Sequence, residues 1–253
     1  MANTGSSGII EYNEQWIADS VAGGAAAGAG SAADGIAWLG SSDAGNTPFA
    51  RAVAAGRGIH LAGALDATDD DMLALASDTL LFAGQEGYAM LEVLFQVSSI
   101  ADLAINIGLN DEVLEATSNT LPVELATTVW TTSASTFLGL VYDVDATNDD
   151  VHCMWVDDDN DSAEALANLR MQGIAPVASK WCMARVEMQD RGSGNGVRGT
   201  FTFSCDGKTA TKEFNTTVDR DCPLSAFIGF ENRAATVHNV YIKYIKIAQS
   251  ISD

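Results

Sequence analysis

Apolar and polar residues alternate along most of the last two thirds of this 253-residue chain, and this alternation limits what the chain can fold into. From Tyr88 to Val97, every odd-numbered position carries Ala, Leu, Val or Phe. In a second segment, Phe201, Phe203 and Cys205 alternate with threonine and serine. Successive side chains leave a strand on opposite sides, so a period of two is typical of β-structure. Similar segments recur from residue 58 to residue 248 and predict an antiparallel β-sandwich or barrel.

The first fifth of the chain has a different composition and is predicted to form an extended N-terminal arm, residues 1–56. After its first residue, the run Val21–Ala33 contains only Gly, Ala and Ser. Such a run gains little by ordering alone, because Gly loses much backbone entropy and Ala buries little surface. The arm nevertheless carries large side chains, which are Ile9, Ile10, Tyr12, Trp16, Ile17, Trp38, Leu39 and Phe49. They are interpreted either as residues that fold back on the sandwich or as anchors that bind another protein.

Charge and hydropathy limit the classes of partner. The chain has 34 acidic and 13 basic residues and a net charge of −21. Nucleic-acid binding is not expected, because phosphates need Lys and Arg to neutralise them. No run of about 18 apolar residues occurs, so no membrane-spanning helix is expected. The first basic residue is Arg51, so no secretory leader is recognised and folding in the cytoplasm is expected.

None of the cysteines has the close spacing of a zinc ligand set; they are Cys153, Cys182, Cys205 and Cys222. Free thiols in a reducing compartment are expected. The alternative is a disulfide between Cys205 and Cys222, because the two residues could lie on neighbouring strands.

No catalytic motif fits the predicted strands. The string Gly28–Ala33 has the spacing of a dinucleotide-binding loop but lacks the strand that must precede it. A retaining glycosidase needs two carboxylates about 5 Å apart. The nearest pair, Glu187 and Asp190, lies at an odd-numbered spacing and therefore on opposite faces of a strand. We predict that the protein is not an enzyme and needs no cofactor.

Two acidic clusters could bind calcium, which prefers about six to eight oxygen ligands. The first contains Asp143, Asp145, Asp149 and Asp150. The second spans residues 157–161, and its candidate metal ligands are Asp157, Asp159 and Asp161. Neither cluster matches an EF-hand loop, so two solvated acidic loops are the first interpretation and calcium binding is the alternative.

Several segments follow one another in a recognisable order. They are the strand Tyr88–Val97, the string Ile107-Gly108-Leu109, the strand Trp181–Met188, the Asp206-Gly207 hairpin turn, the string Phe227–Arg233 and the closing strand Val240–Ile247. This order resembles the concanavalin A-like, laminin-G-type jelly roll, in which the closing strand pairs beside the first. The resemblance covers residues 57–250 and implies an all-β, antiparallel jelly-roll sandwich over residues 57–253.

Domains of this family bind sugars, cut sugars or build virus particles. The Gly/Ala-rich arm on an acidic sandwich resembles tailed-phage virion proteins, especially head decoration or cement proteins. This implies a location in the virion and an arm bound to the major capsid protein or another virion protein. A homo-oligomer is expected, because it would present several arms at once. The alternative is a carbohydrate-binding module of a phage tail or adhesin, with Trp130, Trp155 and Trp181 as candidate glycan contacts.

Overall fold

The computed structural model describes residues 3–4, 8–16, 22–23, 28–29, 38–77, 83–112, 120–161 and 164–250. In chain order the strands are β1 (Asn3–Thr4), β2 (Ile9–Glu14), β3 (Ala22–Gly23), β4 (Gly28–Ala29), β5 (Trp38–Ser42), β6 (Thr47–Ala54), β7 (Gly58–Leu65), β8 (Met72–Ser77), β9 (Tyr88–Val97), β10 (Leu103–Asn110), β11 (Val123–Ala126), β12 (Val129–Thr132), β13 (Phe137–Asp143), β14 (His152–Asp157), β15 (Asn160–Asp161), β16 (Cys182–Asp190), β17 (Val197–Cys205), β18 (Lys208–Asn215), β19 (Ser225–Asn232) and β20 (His238–Ser250). Among the described residues, helical structure is confined to a 3₁₀ turn at Gly84–Glu86 and the helix α1 at Leu166–Leu169. Across the described ranges, no helix has the length and apolar content needed to cross a membrane.

The strands form two large sheets that face each other. The first sheet has the order β1-β2-β20-β9-β16-β17-β18, and β7 joins β20 with β6 beyond it. The second has the order β15-β14-β13-β10-β19-β8-β5-β3, with β4 also paired to β5. The long strands pair antiparallel throughout, and the short β3 pairs parallel to β5. The predicted all-β jelly-roll sandwich is therefore confirmed.

The core lies between the two sheets and follows the alternation in the sequence. On β9, Leu91, Val93 and Phe95 have no exposed surface. Phe95 meets Phe230 of the opposite sheet edge to face, with ring centroids 5.9 Å apart. Burial of each such side chain contributes about 1.5–3 kcal/mol, so the apolar face of β9 is a main source of the sandwich's stability.

The described part of residues 1–56 is built into the sandwich. Strand β2 pairs with β20, β5 pairs with β8, and the β6–β7 hairpin spans the predicted boundary between residues 56 and 57. Trp16 and Trp38 are 4% and 3% exposed, and their rings meet edge to face at 6.4 Å. Both are core side chains, as in the interpretation in which the arm folds back, and neither is on the surface where another protein could bind it.

The other large side chains of the predicted arm differ in exposure. Ile9, Tyr12 and Leu39 are half-buried, and Ile10 is 39% exposed. Ile17 lies outside the described residues. Ile9, Ile10 and Tyr12 therefore belong to β2 in the first sheet, and Leu39 belongs with Trp38 to β5 in the second.

The cysteines pair differently from either expectation. Cys182 forms a disulfide with Cys205, and the two residues face each other in the register of β16 and β17. Cys153 and Cys222 are free. Free thiols at all four positions are therefore a wrong prediction, and so is the Cys205–Cys222 alternative. Cys222 lies on the connection that follows β18, whereas Cys205 is the last residue of β17 and lies just before β18 begins. The two cysteines are therefore at opposite ends of β18.

Candidate ligand-binding cleft

The sandwich has two ends, and the loops at these ends differ in chemistry. The end that we call the cleft end carries the loop at residues 191–196, which connects β16 to β17, and the loop at residues 215–220, which begins the connection from β18 to β19. We name the acidic end after the loops at residues 66–71, 143–150 and 231–236. Strands β16 and β17 run from one end to the other, since Asp190 pairs with Val197 at the cleft end and Cys182 with Cys205 near the acidic end.

An open cleft of about 450 Å³ lies at the cleft end. Its lining residues are Arg191, Gly194, Asn195, Gly196, Asn215, Thr216, Thr217, Asp219 and Arg220. A second depression, of about 240 Å³, is lined by Arg198, Glu213, Phe214 and Asn215. Asn215 lines both, so the two depressions adjoin at the end of β18.

A glycine-rich loop forms one wall of the cleft. Gly192, Gly194 and Gly196 have φ values of +86°, +77° and +63°, a region that L side chains rarely adopt. At Gly196 a Cβ would also lie 2.6 Å from the carbonyl oxygen of Thr216. Glycine at this position therefore allows the 191–196 loop to approach the 215–220 loop closely enough to form a cleft.

An ion pair between Asp190 and Arg220 joins the two walls. Arg220 Nε donates to Asp190 Oδ1 at 2.8 Å, and a second guanidinium nitrogen donates to Oδ2. The backbone N–H of Gly192 also donates to Asp190 Oδ1, at 2.8 Å. The hydrogen bonds from Arg220, with that from Gly192, lower the pKa of Asp190 to about 2. Asp190 is therefore ionised across the ordinary pH range and keeps both loops in place.

The predicted calcium ligands at residues 157–161 lie on a hairpin beside the cleft. Asp157 Oδ1 accepts the backbone N–H of Asp219 at 3.1 Å, and burial raises the pKa of Asp157. Asp158 and Asp159 are exposed in the β14–β15 turn, with φ of +48° and +61°. The side chain of Asp161 lies outside what the structure describes. In the described part of the chain, no three His, Cys, Asp or Glu side chains converge as metal ligands.

The other predicted calcium cluster is divided between two ion pairs and solvent. Asp143 is fully buried and accepts a two-pronged hydrogen bond from Arg233, at 3.2 Å from Nε and 2.7 Å through a terminal nitrogen. Asp150 pairs with Arg170 at 2.9 Å. Asp145 and Asp149 are exposed. The four carboxylates therefore do not form one ligand set.

Buried charge concentrates at the acidic end. Glu231 is 2% exposed, and desolvation raises its pKa to about 8 although Arg233 opposes this shift. Asp71 has its pKa raised to about 6, first by burial and then by its contact with Asp66. The backbone N–H of Leu125 donates to Asp143 at 3.0 Å, which ties the β11–β12 hairpin to this cluster. These carboxylates have protein partners, so we assign them a structural role.

The aromatic residues suggested as glycan contacts are in different environments. Trp155 is 4% exposed and packs against Phe214 with ring centroids 5.2 Å apart. Trp130 and Trp181 are half-buried, and neither lines the cleft. Phe214, which the sequence analysis did not single out, lines the smaller depression. The sequence feature that indicates this region is the set of three glycines at positions 192, 194 and 196, which is typical of a loop with unusual backbone conformation.

Glu187 and Asp190, the nearest carboxylate pair for glycoside cleavage, have separate partners. Glu187 accepts hydrogen bonds from Tyr88 Oη at 2.7 Å and from Arg185 at 2.6 Å. Asp190 is engaged by Arg220 at the cleft. The two carboxylates therefore belong to different networks.

No protein-family model and no curated protein sequence matches this chain. Solved structures of similar fold include the following three. A protein of unknown function, SO2946 from Shewanella oneidensis MR-1, aligns with a TM-score of 0.62 and 13% identity, covering 100% of this chain and 91% of that chain. Peanut lectin with a bound 9mer peptide aligns with a TM-score of 0.56 and 10% identity, covering 97% and 99%. Lotus tetragonolobus seed lectin aligns with a TM-score of 0.52 and 8% identity, covering 85% and 94%. At these identities the similarity shows the fold, a concanavalin A-like sandwich of the legume-lectin type.

Proposed function

We propose that this protein is a carbohydrate-binding β-sandwich that holds a glycan in the cleft between the 191–196 and 215–220 loops. The lining of the cleft is the observation that carries the proposal. Asn195 and Asn215 offer amide donors and acceptors, Asp219 offers a carboxylate, and Arg220 offers a guanidinium beside them. Sugar hydroxyls donate and accept hydrogen bonds, so a wall of mixed polar groups is complementary to them. Two proteins of similar fold are lectins, which supports the same conclusion.

The size and rigidity of the cleft suit a short glycan. Its volume of about 450 Å³ falls within the range of about 300–1,000 Å³ common for small-ligand sites. The Asp190–Arg220 ion pair and the close approach of Gly196 to Thr216 hold the walls together. Because the two loops are already ordered before a glycan binds, less of the binding free energy is lost in ordering them. Phe214 in the adjoining depression adds an apolar surface for the C–H groups of a sugar ring.

We further propose binding without turnover. Glycoside cleavage requires two carboxylates placed across one bond, whereas Glu187 bonds Tyr88 and Asp190 bonds Arg220. Incubation of a bound polysaccharide with the protein should release no new reducing ends. Release that is lost on Glu187→Gln substitution would show that the carboxylates act catalytically.

The setting of this module is a separate hypothesis. The Cys182–Cys205 disulfide fits a protein that works in an oxidising environment, where extracellular glycans are met. A phage tail, a capsid surface and a free adhesin each remain hypotheses from composition, as does a homo-oligomer. For capsid decoration, Trp16 and Trp38, on which the proposed arm attachment depended, are core side chains and are not exposed to a second protein. Calcium dependence likewise stays a prediction.

A glycan array followed by calorimetric titration tests the proposal. Asn215→Ala and Asp219→Ala each remove a polar group from the cleft, and we expect each to weaken binding at least about tenfold, which corresponds to about 1.4 kcal/mol. Asp145→Ala is the matched control, because Asp145 is an exposed carboxylate at the acidic end. Its affinity should equal that of the unmodified protein.

Two results would contradict the proposal. Absence of binding to any glycan on a broad array would remove the function. Loss of binding in the Asp145→Ala variant with full binding in both cleft variants would move the site to the acidic end. Circular dichroism and melting temperature of each variant confirm that it is folded.

A further inference from the structure

We infer that the cleft selects glycans that carry isolated negative charges, such as a carboxylate or a sulfate on every second sugar. The inference rests on the proposed function and concerns its ligand class. Two arginines, Arg191 and Arg198, carry the argument. Arg191 lines the main cleft and Arg198 lines the adjoining depression.

Basic residues are scarce in this chain, with 13 against 34 acidic residues. Many of them form ion pairs, such as Arg170 with Asp150, Lys180 with Asp206, and Lys246 with Glu11. Arg185 pairs with Glu187, Arg220 with Asp190, and Arg233 with Asp143. Lys208, Lys212 and Lys243 form no ion pair in the described chain, but they lie outside the cleft and donate to backbone carbonyl oxygens.

Arg191 and Arg198 differ from these residues. Within the described chain, neither forms an ion pair with a carboxylate. Arg191 donates to the backbone oxygen of Asn195, and Arg198 is exposed on β17. The guanidinium groups therefore keep donors free for a ligand. A guanidinium presents paired N–H groups whose spacing matches the oxygens of a carboxylate or sulfate.

The positions of the two arginines suit one extended ligand. Arg198 faces Asn215 in the register of β17 and β18, and Asn215 also lines the main cleft beside the 191–196 loop. A glycan that crosses from the main cleft to the smaller depression would therefore meet Arg191, then Asn215, then Arg198. Two cations separated by neutral amide groups match a chain in which charged and neutral sugars alternate.

The overall charge of −21 does not prevent this interaction. The acidic end lies about 30 Å away, since β17 spans 9 residues at about 3.3 Å each. At physiological ionic strength charges are screened beyond about 8 Å, so the residues at the cleft decide the local attraction. Acidic residues are also present at the cleft end, because Asp219 and Glu213 line the surface and the hairpin with Asp157 and Asp158 lies beside it. They disfavour a polymer with a charge on every sugar.

Matched pairs of oligosaccharides that differ only in charge test the inference. The first pair is a hyaluronan oligosaccharide and its methyl ester, and the second is a κ-carrageenan oligosaccharide and its desulfated form. We expect at least about tenfold tighter binding of the charged member of one pair or both, with the difference lost in 1 M NaCl because the Debye length falls to about 3 Å. Arg191→Gln and Arg198→Gln should each remove most of this preference.

Lys180→Gln is the matched control, because it removes one positive charge from an exposed pair outside the cleft. It should retain the preference in full. Equal binding of charged and neutral members, or an undiminished preference in both arginine variants, would overturn the inference. Neutral glycans bound at the cleft would then leave the proposed function standing, whereas no binding to any glycan would remove both.

Discussion

The two ends of the sandwich use charged residues in opposite ways. At the acidic end, Arg233 is enclosed between Asp143 and Glu231, with only 7% of its side chain exposed. At the cleft end, the Asp190–Arg220 pair is accessible to solvent, with 19% and 30% of the side chains exposed. The first arrangement holds a hairpin against a sheet, and the second positions two loops around an open space. Burial therefore separates charges that stabilise the fold from charges that remain available to a ligand.

Covalent and backbone features follow the same division. The Cys182–Cys205 disulfide joins β16 and β17 near the acidic end. Their other ends are joined by the 191–196 loop with its three glycines of positive φ. The acidic end is thus fixed by buried pairs and a cross-link, while the cleft end depends on backbone conformations that only glycine adopts easily.

Replacement of Arg233 by methionine tests the comparison with the largest expected effect. It leaves Asp143 and Glu231 buried without a cation, and breaking a buried ion pair in this way costs about 3–5 kcal/mol. Urea unfolding followed by circular dichroism measures the free energy of unfolding. Arg220→Met at the cleft end is the matched control and should change stability little, since exposed pairs contribute little. Similar losses in the two variants would show that the ends do not differ.

Removal of the disulfide comes next. Cys182→Ser opens a loop closed between residues 23 positions apart, and disulfides of this kind contribute about 2–4 kcal/mol. Addition of a reductant to the unmodified protein should lower its free energy of unfolding to that of the variant. Cys222→Ser, at a free cysteine near the cleft end, should leave stability nearly unchanged. A reductant without effect would mean that the cross-link does not stabilise the native protein.

A pair of glycine substitutions measures how far the cleft depends on its backbone. Gly194→Ala places a side chain at φ +77° with nothing within 4 Å and should cost about 1–2 kcal/mol. Gly196→Ala introduces the same backbone strain and also a contact of 2.6 Å with Thr216 O. It should destabilise the protein further and separate the loops, which would weaken glycan binding. Equal stability and affinity of the two variants would show that the close approach at Gly196 is unimportant.

The smallest effect is a dependence on pH at the acidic end. The pKa of Asp71 is about 6 in the folded protein against 3.8 in the unfolded chain, so the native state binds this proton more tightly. Its stabilising contribution is complete below about pH 3.8 and is lost as the pH rises through 6. Asp71→Asn should therefore raise the melting temperature at pH 7.5 and change it little at pH 4.

Glu231 has a pKa of about 8, so it also lowers the stability of both proteins as the pH rises. The variant is therefore compared with the unmodified protein at each pH. Asp69→Asn, at an exposed carboxylate of the same loop, is the control and should show no such pattern. A variant whose melting temperature changes equally at pH 4 and pH 7.5 would contradict a raised pKa at Asp71.

The sequence predicted the sandwich because each strand is indicated by the residues within it. Alternation along Tyr88–Val97 and Val197–Cys205 gives both the strand and its buried face without knowledge of any partner. The Asp206-Gly207 turn between β17 and β18 is equally local, since Asp206 and Gly207 occupy the positive-φ positions that such a turn requires. Residues 17–37 have no such alternation, so the sequence did not predict which structure they adopt.

Tertiary structure decided which residues meet across the chain. Cys182 faces Cys205 only because the β16–β17 register places position 182 opposite position 205, and that register depends on a loop whose length gives no simple turn type. Asp143 is buried with Arg233, which is 90 positions away in the chain. Because the sequence does not show this partner, the aspartates close to Asp143 suggested a calcium-binding loop. The cleft likewise combines loops from two separate connections, and Asn215, Asp219 and Arg191 have no pattern in common until the strands align. Local spacing determines strands and turns because their geometry repeats within a few residues, whereas contacts between distant residues follow from the packing of the whole sandwich.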